Sequence, residues 1–271
     1  AMPEPAYTSP VAYGSNGAAD YATWGIAFVL FDSKMRGLFS MMFGASTLLV
    51  MQAAEASGSS PAARHYARMG VLAIFGLLHF YLIWWGDILW LYAICGLLLF
   101  TMRNFSVRAL LIAGTLFTLL AMAMYLAFVM SLDADSEMIT ALAANSPKVL
   151  QELAIYGGSY ADIIGYRVGE MGGAPIGILI FVGPETLGLM LFGMAMFKSG
   201  LLAGSWPVER LWRWALGGLG IGLIANIALL GWQISTGYDG WTLFSTTLLW
   251  SIPGDIAMSV GYAALFMWLA Q

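Results

Sequence analysis

"GLLHFYLIWWGDILWLYA", residues 76–93, is an almost unbroken apolar run that nevertheless holds a histidine, His79, and an aspartate, Asp87. It lies inside a longer apolar run, residues 70–102. One helix of that length would reach about 50 Å at 1.5 Å per residue, too long for a hydrocarbon core of roughly 30 Å. Gly86-Asp87 is the natural place for the chain to turn. The stretch therefore predicts two short spans, 70–85 and 88–102, joined by a tight hairpin. Asp87 then sits at the membrane edge, where a carboxylate stays hydrated, and His79 lies about two helical turns deeper.

The rest of the chain reads the same way. Of its 271 residues, 60% are hydrophobic and 10% are charged, against about 25% charged in soluble domains. The apolar runs are too continuous for a transmembrane barrel, whose strands alternate in segments of about ten residues. The fold class is an all-α polytopic transmembrane helix bundle of about seven spans with a small helical periplasmic segment. Residues 1–36 form a periplasmic or interfacial lead-in, irregular over 1–20 (Pro3, Pro5, Pro10) and helical over 20–35. Residues 37–131 hold spans one to four, 132–175 an acidic periplasmic helical segment, and 176–271 spans five to seven. The later spans are 108–131, 176–197, 214–232 and 244–269.

Charge sets the orientation. Of the 11 Lys and Arg residues, Arg64, Arg68, Arg103, Arg108, Lys198, Arg210 and Arg213 fall on one side of this arrangement, which the positive-inside rule makes cytoplasmic. The opposite segment, 132–175, is acidic. In it, Ser146-Pro147 and Ser159 read as helix starts, and Tyr160, Ile163, Ile164 and Val168 as one apolar face. No basic patch suggests nucleic acid as a partner. The single cysteine, Cys95, excludes an intrachain disulfide and a cysteine metal site, and no metal ligand set is assigned.

Three ionisable side chains fall near mid-span: His79, Glu185 in "FVGPETLGLM" and Asp255 in "SIPGDIAMSV". A carboxylate at the centre of a membrane helix costs about 2.5–3.5 kcal/mol on insertion scales. The proline before each acid could open its helix and expose backbone groups to a polar cavity. On one reading the three form a proton-relay or catalytic cluster. On the other, each is neutralised or bonded locally and glues helices together. A second set stands at the outer edge: Lys34, Arg36, Asp87 and Arg167 read either as substrate-binding candidates, with Arg36 paired to Asp87, or as ordinary interfacial anchors whose charged ends snorkel to the headgroups. Gly218 and Gly222 read as a close helix contact.

The succession "FDSKMRGLFSMMFGAS", the 76–93 stretch, "GSYADIIGYR" and "LGLMLFGMAMFKSGLL" resembles the YeiB-like family of bacterial inner-membrane proteins over about residues 20–204. Residues 205–271 match it in hydropathy only. The family pattern also has an Arg-Gly helix ahead of these motifs and a further segment after the last span, so the chain reads as a partial or shortened member. The resemblance implies a multi-pass protein of the bacterial inner membrane. It also implies a distant kinship with membrane acyltransferases, with His79 as base and an acyl-CoA-type donor. Two other classes fit the same residues: a transporter with a mid-membrane acidic site, and a non-catalytic accessory subunit packed against other membrane protein subunits. All three have the lipid bilayer as a partner.

Overall fold

The computed structural model describes residues 4–14, 17–133 and 135–271; Pro3 and the rest of 1–3, with 15, 16 and 134, lie outside the described residues. Among the described residues the chain is helical, without strands. Six stretches are long and apolar enough to cross a membrane: Ala18–Ala56, Pro61–Ile83, Val107–Met130, Ala174–Lys198, Val208–Ser235 and Ile252–Leu269. The first comprises α1 (Ala18–Leu30) and α2 (Lys34–Ala56). The second is α3 (Pro61–Leu78) with a π-helical turn, His79–Ile83. A shorter apolar helix, α4 (Leu89–Leu99), follows. At 11 residues, or about 16 Å, it is too short to cross alone. Then come α5 (Val107–Met130), α6 (Glu137–Thr140), α7 (Pro147–Tyr156), α8 (Tyr160–Gly169) and α9 (Ala174–Lys198). The last three are α10 (Val208–Ser235), α11 (Gly240–Ser245) and α12 (Ile252–Leu269).

The hairpin forms where the length argument put it. Gly76 of α3 lies against the backbone of Trp90 in α4, and the His65 ring meets the Gly96 carbonyl at 3.0 Å. Two further pairs run antiparallel, α5 with α9 (Thr118 at Gly188) and α10 with α12 (Gly218 at Gly261, Gly222 at Gly254). Helix α2 runs alongside α9 and α12 in the same direction, with Arg36 at Glu185 and Gly37 at Ser259. Where α2 crosses α9, a Cβ on Gly44 or Gly193 would strike the carbonyl oxygen of Met190 or Met41, so the two backbones touch. These pairings collect the turns 57–60, 100–106 and 199–207 at one end, with the seven basic residues around them. The turns 84–88, 131–173 and 236–239 lie at the other. Ile74, Leu116 and Ile224 point outward on α3, α5 and α10, as lipid-facing side chains do. The chain is an integral membrane protein.

Local chemistry explains the helix starts. Ser60, Ser106 and Ser146 each accept a hydrogen bond from the third helical N–H, and proline opens α3 and α7. Ser159 and Asp162 form a reciprocal capping box on α8.

Four expectations change. The α1–α2 break falls at residues 31–33, with Ser33 at φ 61°, so Lys34 and Arg36 open α2 among packed helices instead of at the edge. Pro184 does not open α9, which stays helical through it; neighbouring helices tolerate its missing N–H. The region 244–269 is not one helix: α11 passes through a π-helical turn, Thr246–Trp250, and Pro253 lies in the first turn of α12. On α8 the buried residues are Tyr166 and Arg167, while Tyr160 and Val168 are exposed.

Candidate functional site

The break at Ser33 decides where the charges go. Because α2 starts inside the bundle, Lys34 is 1% exposed, with α1, α10 and α12 around it. Its ammonium lies 2.8 Å from Asp255 Oδ1 and donates to Asn226 Oδ1 at 3.0 Å and to the Phe28 carbonyl. Half a turn on, Arg36 Nη2 donates to Glu185 Oε1 at 2.6 Å. Glu185 Oε2 accepts from the Tyr125 hydroxyl at 3.0 Å. Two cations and two carboxylates thus pair within the bundle, which offsets part of the cost of taking them out of water.

Asp87 has a different partner. The π-helical turn ends at Ile83, and Trp84 is extended at φ −154°, ψ 129°. The chain reverses there, so Asp87 is not a helical extension of His79 but comes back beside it. His79 Nδ1 lies 2.9 Å from Asp87 Oδ1, while Asp87 Oδ2 accepts from the backbone N–H of Trp90 at 2.9 Å. The carboxylate is therefore fixed from both sides. The His79 ring stands edge-on to Trp84 and its side chain is 30% exposed. Its Nε2 has no hydrogen-bond partner among the described residues. The predicted Arg36–Asp87 ion pair does not form: Arg36 is held by Glu185 and Asp87 by His79.

A cavity of about 300 Å³ joins these groups at the end of the bundle opposite the basic turns. Arg36, Asp87, Glu185 and Asp255 line it, with Tyr125 and Ser251. Of the seven candidates from the sequence, four therefore share one space. Lys34 stands behind Asp255, and His79 touches the cavity only through Asp87. Arg167 is elsewhere, buried in α8 with its guanidinium over the Tyr156 ring at 6.0 Å. Tyr125 and Asn226 were missed. Each is a neutral polar side chain in the middle of an apolar span, and that was the signal available for them.

A family model described as "Protein of unknown function (DUF418)" matches residues 196–271. The Escherichia coli (strain K12) protein "Uncharacterized protein YeiB" is 26% identical over 276 residues, which covers 98% of this chain and 67% of that relative. "Uncharacterized protein YxaH" of Bacillus subtilis (strain 168) is 30% identical over 151 residues, 55% of this chain and 37% of the relative. No solved structure matches. The C-terminal part, expected to match in hydropathy only, is the part the family model covers.

Proposed function

We propose, from the premise that this chain is a YeiB-like integral membrane protein, that it is an acyltransferase-like enzyme of the bacterial inner membrane. It acts on a membrane or periplasmic acceptor. The observation that carries this reading is the His79–Asp87 pair at 2.9 Å, with the second carboxylate oxygen held by the Trp90 N–H. An aspartate that accepts from Nδ1–H fixes the ring's tautomer and leaves the Nε2 lone pair free to take a proton. An acceptor hydroxyl then loses its proton to Nε2, and its oxygen attacks the acyl carbonyl of a thioester donor. The C–S bond breaks and the imidazolium returns the proton to the departing thiolate. Arg36 and Glu185 line the cavity on the Asp87 side of the pair and are the charged groups there that an acceptor's polar groups would meet. A cavity of about 300 Å³ is at the small end for ligand sites; at the end opposite the basic turns, it suits an acceptor headgroup.

The test supplies the chain in liposomes with radiolabelled acetyl-CoA and follows label into the lipid and soluble glycan fractions. His79→Gln should lower transfer by about 10²–10⁴-fold, the usual contribution of a general base. Unchanged transfer would remove the enzyme reading. The periplasmic position of 132–175 is tested in a Cys95→Ser background. An impermeant reagent on intact cells should label Ser159→Cys and spare Ser59→Cys; the opposite pattern inverts the orientation.

The ion-paired cavity favours a second reading, a transporter in which Lys34–Asp255 and Arg36–Glu185 exchange partners with a charged solute. Solute-driven proton flux in the same liposomes, abolished by Glu185→Gln and indifferent to His79→Gln, would select it.

A further inference from the structure

At the basic end, α10 and α12 leave a groove of about 520 Å³ that opens sideways from the bundle. Arg210 and Arg213 stand at its mouth, one helical turn apart on the same side of α10. Below them Trp214, Gly217 and Ile221 line one wall, with Val260 of α12 on the other. Arg210 is already positioned, its guanidinium stacked over the buried Trp206 ring at 3.7 Å. Among the described residues neither Arg210 nor Arg213 has a carboxylate within ion-pair distance. The nearest backbone contact, Arg213 Nε to the Glu209 carbonyl at 3.3 Å, leaves its terminal nitrogens free.

We infer that this groove is a binding site for an anionic phospholipid. The headgroup phosphate bridges Arg210 and Arg213, and one acyl chain lies along Gly217 and Ile221 against Val260. Three features select a lipid over a soluble anion. The two cations stand at the end of a membrane-spanning helix, at headgroup level. The wall beneath them is apolar. The groove faces outward, with Trp214 and Ile221 exposed along it, so its occupant arrives from the bilayer. Arg68 at this end also lines an apolar groove, of about 490 Å³, but with no second cation in its lining.

The experiment is native mass spectrometry of the chain released from nanodiscs of equal phosphatidylglycerol and phosphatidylcholine. The wild-type chain should retain phosphatidylglycerol preferentially. Each arginine-to-glutamine change should lower that retention about fivefold, and Arg210→Gln with Arg213→Gln about 25-fold. Arg64→Gln with Arg108→Gln removes the same charge from the same end and should leave retention unchanged. Gly217→Leu keeps both arginines; a Cβ there meets nothing within 4 Å, so the fold is undisturbed while the added side chain fills the groove. It should reduce retention as the arginine pair does. Equal loss in the Arg64/Arg108 control would make the attraction a general surface effect and overturn the proposal. Full retention in Gly217→Leu would show that no acyl chain seats there and overturn it equally. So would displacement of the lipid by millimolar inorganic phosphate, which identifies a plain anion site.

Discussion

The two ends of this bundle treat charge in opposite ways. At the basic end most cations stand outside the packed helices and are exposed, with Arg68 and Arg103 half-buried, and among the described residues none has a carboxylate within ion-pair distance. At the cavity end they are sunk into the bundle, and every one that lines or backs the cavity is matched: Lys34 with Asp255, Arg36 with Glu185, His79 with Asp87. Water and headgroups solvate an exposed charge without help from the protein. A buried one needs a dedicated partner, and helices must break or turn to supply it. The α1–α2 break at Ser33 and the reversal after Trp84 are those adjustments. They mark the end where the fold is adjusted to hold buried charge.

The contrast breaks most visibly at Lys34. Lys34→Met leaves Asp255 unpaired among apolar helices and should cost about 3–5 kcal/mol of stability, whereas Lys34→Met with Asp255→Leu should recover most of it. Arg64→Gln at the other end should stay within about 0.5 kcal/mol. Thermal unfolding in detergent checks all three; a neutral Lys34→Met would put the ion pair outside the stability of the fold. Next in size is the helix crossing that holds α2 in place. Gly193→Leu forces a side chain onto the Met41 carbonyl and should cost about 1–3 kcal/mol as overpacking, while Gly217→Ala on the open face should cost nothing measurable. Equal effects would deny that α2 and α9 touch.

The smallest effect lies outside the membrane. The Ser159 hydroxyl and backbone N–H hold the exposed Asp162 carboxyl below its ordinary value. A carboxylate whose folded pKa is depressed stabilises above the unfolded value near 3.8 and loses that contribution as pH falls through the folded value. Hydrogen exchange in the first turn of α8 should therefore quicken on acidification below about pH 4 relative to the mid-helix amides. Asp162→Asn should flatten that dependence, and an identical profile in the variant would remove the capping box as its cause.

Much of this architecture was legible because lipid leaves few choices. Continuous apolar runs must be helices, and a run well beyond the membrane's thickness must turn, which located the hairpin at Gly86-Asp87. The cap serines were equally readable, since their chemistry is local. Partner identity was not. Arg36 was expected beside Asp87 because both stood at span ends, but the register of α2 depends on a three-residue turn whose geometry no local pattern specified. Pro184 was read as a break, yet a proline's missing hydrogen bond does not end a helix that neighbours support. Arg167 looked like its companions in the sequence, although α8 buries it over the Tyr156 ring and outside the cavity lining. Tyr125 and Asn226 were passed over because a search for formal charge overlooks the neutral groups that complete a buried ion pair's hydrogen bonds.

The account rests on His79 and Asp87 acting as one unit at the cavity end. A double-mutant cycle on acyl transfer in the same liposomes tests that directly, with His79→Gln, Asp87→Asn and the two combined. Residues that work together lose their effect together, so each single change should lower the rate steeply and the double should fall little below His79→Gln alone. Losses that multiply, or a full rate in Asp87→Asn, would contradict the pairing as the source of the activity.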